Sequence, residues 1–477
     1  MEFSGRAADL ALLDSRLRLV AGERSPSRGN AIIVTGRRRV GKSRLVQEFC
    51  DRSTLPYVIF QATRGRNPSS ERADFVTAIA QSALPGGRLV AATRPVDWNH
   101  ALRTLAAAVP AEAPSIVVID EVPWIVAEDG EFEGALQTVW DRELSAKPVM
   151  LILVGSDLSV MEALTTYGRP FFGRSVKMTV RPLHLGDVAA MTGLGGADAM
   201  DAMLLTGGFP EIVQSWPAGA SRAEFLRQSV ENPLSPLLAA GELTVLGEFP
   251  GSSLTRAVLE AIGAGERTFT AIATHAGGGE PLASGSLVPI LRTLMAKGVV
   301  AVDMPLSLKN DTRNKRYRIA DTYLRCWLAL ISGTIPLIER GRPDLALARI
   351  ERAWPAWRER AVEPIIRESL LRLLPDAGWP QTGAIGGWWN RQGNPEIDLV
   401  GTDRYPRPSQ VHFAGSIKWY ENKPFSARDY GVLADAVPVI PGAAAGTPLV
   451  AVSRSGFAPD LPLAATWDPE DLLRAWQ

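Results

Sequence analysis

Short apolar runs recur along the first 215 residues, each followed by a polar or glycine-containing stretch. Ala31–Thr35, Pro56–Ala62, Ser115–Asp120 and Val149–Val154 are continuous and rich in β-branched residues, the pattern of strands buried on both faces of a parallel sheet. Between them apolar positions fall at helical spacing: Leu10, Leu13 and Leu17, then Leu45, Val46 and Phe49, then stretches near 71–84 and 98–109. Residues 21–30 and 64–70 read as loops. Strands alternating with helices predict an α/β domain.

Beyond 215 the pattern changes. Helices are predicted over 254–263, 268–276 and 286–297, followed by strands at 299–302 and 317–319. Three short helices and a hairpin predict a winged helix-turn-helix. Farther on, a helix carrying Ile365, Ile366, Leu370 and Leu371 precedes strands at Trp388–Trp389, 395–400, 412–419 and 448–453, with a last helix over 468–476. The expected domains are 1–215, 216–335 and 336–477, and a chain of 477 residues has room for about three.

Composition narrows the function classes little. The chain has 51 basic and 51 acidic residues, so any basic partner surface must be local. The two cysteines, Cys50 and Cys326, lie far apart and the four histidines are scattered, which excludes a zinc knuckle or a disulfide framework. No run of 18 apolar residues predicts a membrane span, and the start of the chain shows no targeting signal. The expectation is a cytoplasmic protein without a membrane partner.

The sharpest chemistry lies at Gly36-Arg37-Arg38-Arg39-Val40-Gly41-Lys42-Ser43, between the first strand and a helix that starts with Arg44. This is the G-x-x-x-x-G-K-[ST] phosphate loop in its proper strand–loop–helix context. Glycines let the backbone curl around an oxyanion, and the loop and helix N–H groups point at phosphates. Lys42 would reach the β- and γ-phosphates of ATP, and Ser43 would ligate Mg²⁺. The strand ending in Asp120-Glu121 supplies the companion acids, Asp120 for the metal and Glu121 to polarise the attacking water. Ser156, after the strand 149–154, reads equally as a γ-phosphate sensor or a turn serine. Arg174 reads equally as a transition-state arginine, in cis or from a neighbour, or as a surface residue.

Phe3-Ser4-Gly5-Arg6, the phosphate loop, Ile119-Asp120-Glu121-Val122-Pro123-Trp124, Phe172-Gly173-Arg174 and Thr206-Gly207-Gly208-Phe209-Pro210 together resemble the archaeal-type ATPase family, grouped with AAA+-like and STAND P-loop NTPases. The resemblance runs in family order along the whole chain. It implies a P-loop NTPase αβα sandwich with a helical lid, in which Pro210 would sit beside the adenine. It also implies a C-terminal α/β domain of the PD-(D/E)xK, restriction-endonuclease-like type. There Glu363, Asp398 and Lys418 match the nuclease pattern, while Ser416 stands where a second acid is expected. Because hard Mg²⁺ depends on carboxylates, the expected domain is degenerate and non-cleaving, with Glu396 a conceivable substitute and a plain Asp398–Lys418 ion pair the alternative.

The tip 309–318 carries Lys309, Arg313, Lys315, Arg316 and Arg318 against Asp311. Such a wing would grip double-stranded DNA through its phosphates, or the module would only pack. The leading reading is therefore an ATP- and Mg²⁺-dependent switch or motor, acting through a second copy of itself, a protein partner or DNA. The alternatives are a DNA-binding or DNA-cleaving protein regulated by ATP and a scaffold that binds ATP without turnover.

Overall fold

The computed structural model describes residues 3–22, 28–249, 252–309, 311–376, 378–444 and 446–477. Part of the expected loop 21–30, and Asn310 in the expected wing, lie outside the described residues. The chain divides into two compact units, Met1–Pro182 and Leu183–Gln477.

The first unit is built on a five-stranded sheet in the order β2-β3-β4-β1-β5. Its strands are β1 (Asn30–Thr35), β2 (Tyr57–Gln61), β3 (Ser115–Asp120), β4 (Val149–Gly155) and β5 (Ser175–Thr179). All pairings are parallel, with Thr35 opposite Gly155 and Ile119 opposite Leu153, so the carboxyl ends of β1, β3 and β4 share one edge. Every residue of β3 and β4 is buried, as their uninterrupted apolar sequences require. One face of the sheet packs on Phe75, Trp98 and Phe132, whose rings meet edge-on in a chain with centroids 5.6 and 5.0 Å apart.

The second unit begins with the helices Leu185–Thr192, Gly196–Thr206 and Pro210–Gln214. They fall within the expected domain 1–215, and Gly196–Thr206 packs on the helices Thr322–Cys326 and Pro469–Arg474 in the second compact unit. Its buried Asp201 also takes ion pairs from Arg358 and Arg454, each at 3.2 Å.

The helices Ser253–Gly263, Phe269–Ala276 and Ser284–Ala296 then lead into an antiparallel pair, β6 (Val300–Asp303) and β7 (Arg316–Ile319). After the helices Pro343–Ala361 and Glu363–Leu373 comes a second five-stranded sheet, ordered β12-β11-β10-β9-β8. It comprises β8 (Ala384–Trp389), β9 (Glu396–Thr402), β10 (Val411–Lys418), β11 (Leu449–Ser453) and β12 (Ala465–Trp467). Here β8, β9 and β10 are antiparallel, while β10, β11 and β12 run parallel. The three-residue β12 is too short to leave a periodic signature in the sequence.

Candidate functional site

The phosphate loop leaves β1 at Thr35 and enters the helix Lys42–Ser53 at Gly41. Glycine is required at its start. Gly36 has φ 154°, and a Cβ there would lie 2.4 Å from the Val180 carbonyl oxygen. Gly41 has φ 87°, and Arg39 occupies the left-handed region at φ 66°, so the loop curls tightly between them. Lys42 is only 5% exposed, and its ammonium donates to the carbonyl oxygens of Gly36 and Arg37, each at 2.9 Å. The first turn of the helix holds no acid, which keeps its positive end available to an anion. Ser43 and Arg44 stand exposed there, Arg44 pairing with Glu48 at 3.4 Å, while Val40 is buried and Arg37 and Arg38 are half-buried.

A residue beyond the loop holds its far side. Arg6 is buried, pairs with Asp9 at 2.9 Å and donates to the Val40 carbonyl oxygen. Arg6 closes the Phe3-Ser4-Gly5-Arg6 motif, from which this contact is not predicted. The available signal was the Gly-Arg dipeptide, in which Gly5 and Arg6 both have positive φ.

Across β4, Asp120 ends β3 with its side chain buried and accepts the Glu121 amide at 2.8 Å. Glu121 sits at φ 56°, ψ 43°, a left-handed conformation that costs a non-glycine residue roughly 1–3 kcal/mol. That turn aims its carboxylate at β4, where Ser156 Oγ donates to Glu121 Oε1 at 2.5 Å. The serine is presented by a close approach: a Cβ on Gly155 would meet Met161 Sδ at 2.4 Å and Pro123 Cδ at 2.6 Å. Among the described residues no group of three His, Cys, Asp or Glu side chains could hold a metal ion unaided. Mg²⁺ commonly takes one carboxylate together with substrate phosphates and waters, and the hard oxygen donors Ser43 and Asp120 fit that arrangement.

Arg174 lies at the other edge of the first unit's sheet, and Pro210 belongs to the second unit. Arg174 directly precedes β5, whose first residue pairs with Ala31 at the amino end of β1. The phosphate loop follows the opposite end, five residues on and roughly 16 Å away at ~3.3 Å per residue. The Arg174 guanidinium grips Asp141 through two bonds of 2.7 Å, which hold that carboxylate below its usual range. Strand direction thus sets Arg174 at the edge opposite its own chain's phosphate loop; of the readings left open for it, action within its own chain does not fit this placement. Pro210 opens the helix Pro210–Gln214 in the second unit, where it is half-buried.

In the C-terminal region Glu363 and Asp398 do come together, but around a cation the chain supplies itself. Arg367 donates to Glu363 Oε2 at 2.9 Å and to the Asp398 main-chain oxygen at 2.8 and 3.1 Å. Asp398 Oδ2 accepts from Ser416 Oγ at 2.9 Å and from the Ile417 amide at 2.8 Å. Burial pushes both carboxyls above their usual range, and Arg367 and these hydrogen bonds counter it only in part. Lys418 reaches Asp429 Oδ1 at 4.0 Å. This donor set does not fit a divalent cation: Ser416 brings a hydroxyl in place of an acid, and Arg367 lies against the carboxylate a metal would need. Glu396 is no substitute, because it takes Arg316 at 2.5 Å and Arg267 at 3.4 Å.

Those contacts also revise the expected wing. The Arg316 guanidinium lies 4.3 Å from the Trp389 ring centre, and Asn314 exchanges hydrogen bonds with Trp389 at 3.1 and 3.2 Å. Arg318 is held by Asp303 at 2.9 Å. Two of the five basic residues expected to grip DNA are thus turned into the protein, and Lys309, Arg313 and Lys315 remain exposed.

Residues 18–213 match the family model of an ATPase domain predominantly from Archaea. That match spans the phosphate loop and the Asp120-Glu121 acids. Residues 327–429 match a family of archaeal and bacterial proteins of unknown function. An uncharacterized protein of Methanocaldococcus jannaschii is 22% identical over 380 residues, covering 77% of this chain and 79% of the relative. Among solved structures, the Walker-type ATPase of Pyrococcus abyssi aligns at TM-score 0.48 and 18% identity over 68% of this chain and 96% of its own. The ORC2 protein of Aeropyrum pernix aligns at TM-score 0.41 and 14% identity over 71% and 95%. No helix among the described residues is long and apolar enough to cross a membrane.

Proposed function

We propose that the protein binds and hydrolyses ATP with Mg²⁺ and works as a nucleotide switch. One observation carries this reading: β3, β4 and β1 are adjacent and parallel, so Glu121, Ser156 and the phosphate loop share the carboxyl edge of one sheet. Lys42 would exchange the Gly36 and Arg37 oxygens for those of the β- and γ-phosphates. Ser43 and Asp120 would hold Mg²⁺, which when bound neutralises charge on the phosphates. Glu121 would orient the attacking water and draw on its proton, with Ser156 fixing the carboxylate's direction. Pro210 beside the adenine and Arg174 acting on a neighbouring copy belong to this proposal, as does its AAA+- or STAND-like character.

The three helices with β6–β7 read best as a winged helix used for packing, a view supported by the contacts of Arg316 and Asn314 with Trp389. The C-terminal sheet reads best as a nuclease-like fold without cleavage chemistry, supported by Arg367 and Ser416 at the acids. The test is ATP turnover with Mg²⁺, with and without duplex DNA, for the wild type and Glu121→Gln. The expected result is a loss of turnover of about 10²–10⁴-fold with ATP affinity retained. Equal turnover in the two proteins would sink the proposal.

A further inference from the structure

The second unit contains a charge imbalance that the nucleotide reading leaves unexplained. A cavity of about 30 Å³ is lined by Arg267, Arg316, Arg318, Arg325, Arg360 and Arg367. Its only lining carboxylates are Asp303, Glu363 and Glu396, so six guanidiniums face three acids and leave an excess of three positive charges. Asp398 lies just behind Glu363, and counting it still leaves two.

The acids are already engaged. Asp303 takes Arg318, Glu363 takes Arg367, and Glu396 is shared between Arg316 and Arg267. Among the described residues Arg325 has only main-chain partners, the oxygens of Ala361 and Arg360, at 3.4 and 3.1 Å. Arg360, at the exposed rim, makes no ion pair among the described residues. Burial pushes the Arg325 guanidinium down to about 10 and lowers Arg267 as well. A desolvated cation without a counter-ion is costly, and six guanidiniums around one space, two of them without an ion pair among the described residues, leave a place for an anion.

We propose that this cavity binds a single phosphate group. The guanidiniums approach from several elements: β7, the helices around Arg325, Arg360 and Arg367, and the turn at Arg267. Forked donors from several directions suit a tetrahedral oxyanion better than a planar carboxylate. The volume holds roughly two waters, enough for one small oxyanion and too little for a base or a sugar. The phosphate is either a free anion or one phosphodiester of a strand whose remainder stays outside.

The test uses the full chain carrying Lys42→Ala, so that the phosphate loop makes no contribution and failure here is distinct from failure of the nucleotide reading. Inorganic phosphate is titrated in low-salt chloride buffer, followed by ³¹P line width and calorimetry. The expected result is saturable binding, weakened about tenfold or more by Arg360→Gln and by Arg325→Met, the cost of one charge-assisted contact. Arg360→Gln changes an exposed residue without an ion pair, so it keeps the test valid if Arg325→Met does not fold. A short DNA duplex that displaces the phosphate signal identifies a phosphodiester as the occupant, and retained phosphate identifies the free anion. A flat titration, or equal affinity in a folded Arg360→Gln protein, overturns the proposal.

Discussion

The first unit carries Lys42 with the acids Asp120 and Glu121, the second Arg367 with the acids Glu363 and Asp398, and the two hold their charged groups in opposite ways. In the first unit Lys42 is held by two carbonyl oxygens, and Glu121 by a neutral serine. In the second, Glu363 is met by Arg367, and Asp398 is saturated by a hydroxyl and an amide. A carbonyl oxygen is a weak partner for an ammonium and yields to a phosphate. A buried guanidinium–carboxylate pair does not yield, because separating it leaves a desolvated charge. The difference teaches that chemistry is marked less by which residues converge than by whether their present partners can be replaced.

Breaking the comparison at its strongest point means removing Lys42. Lys42→Ala should lower ATP turnover by about 10²–10³-fold, the usual cost of losing one preorganised cationic or oxyanion contact, and should weaken nucleotide affinity as well. The fold should survive, since the two carbonyl oxygens that hold the ammonium belong to the phosphate loop and not to the core. Turnover and fluorescent-nucleotide binding check this, and normal values would refute the assignment of the loop.

The second region should respond in stability. Arg367→Met leaves Glu363 buried without its partner and should destabilise the second unit by about 2–3 kcal/mol. Its pH dependence has a definite sign. Glu363 and Asp398 titrate above their ordinary values in the folded chain, so that chain binds more protons than the unfolded one. Stability from these groups is present below the ordinary values of 4.5 and 3.8 and declines as pH rises through the raised ones. Removing the arginine should steepen that decline. Urea denaturation across pH 4–8 compares the two proteins, and parallel curves would contradict the pairing.

The contrast also explains what could be read in advance. The phosphate loop was legible because its chemistry is local: eight consecutive residues, a preceding apolar strand and a following helix. Asp120 and Glu121 were legible for the same reason. The Arg6 tie to Val40 was not, because it joins residues 34 positions apart through a main-chain oxygen that has no side-chain signature. The packing of Gly196–Thr206 on later helices was not legible, because Asp201 finds Arg358 at a separation of 157 residues. Arg367 stood in plain view, four residues after Glu363 on one helix face, the spacing of a helical ion pair. The direction of β5 defeated the cis reading of Arg174, since strand order is a tertiary property.

The smallest predicted effect is the most discriminating. Ser156 contributes no charge, so a direct γ-phosphate sensor and a holder of Glu121 predict different patterns for Ser156→Ala. As a holder, it supplies one hydrogen bond to a carboxylate whose backbone is already turned by a left-handed residue. Losing that bond should free the carboxylate to rotate and reduce turnover about tenfold, the equivalent of ~1.4 kcal/mol, with ATP affinity unchanged. In a Glu121→Gln background the serine should then matter little, because the group it positions no longer performs its task. As a phosphate sensor it would lower affinity for ATP relative to ADP, and the loss would persist beside Glu121→Gln. Turnover and nucleotide affinity across the double-mutant cycle separate the two, and the 2.5 Å contact to Glu121 favours the holder.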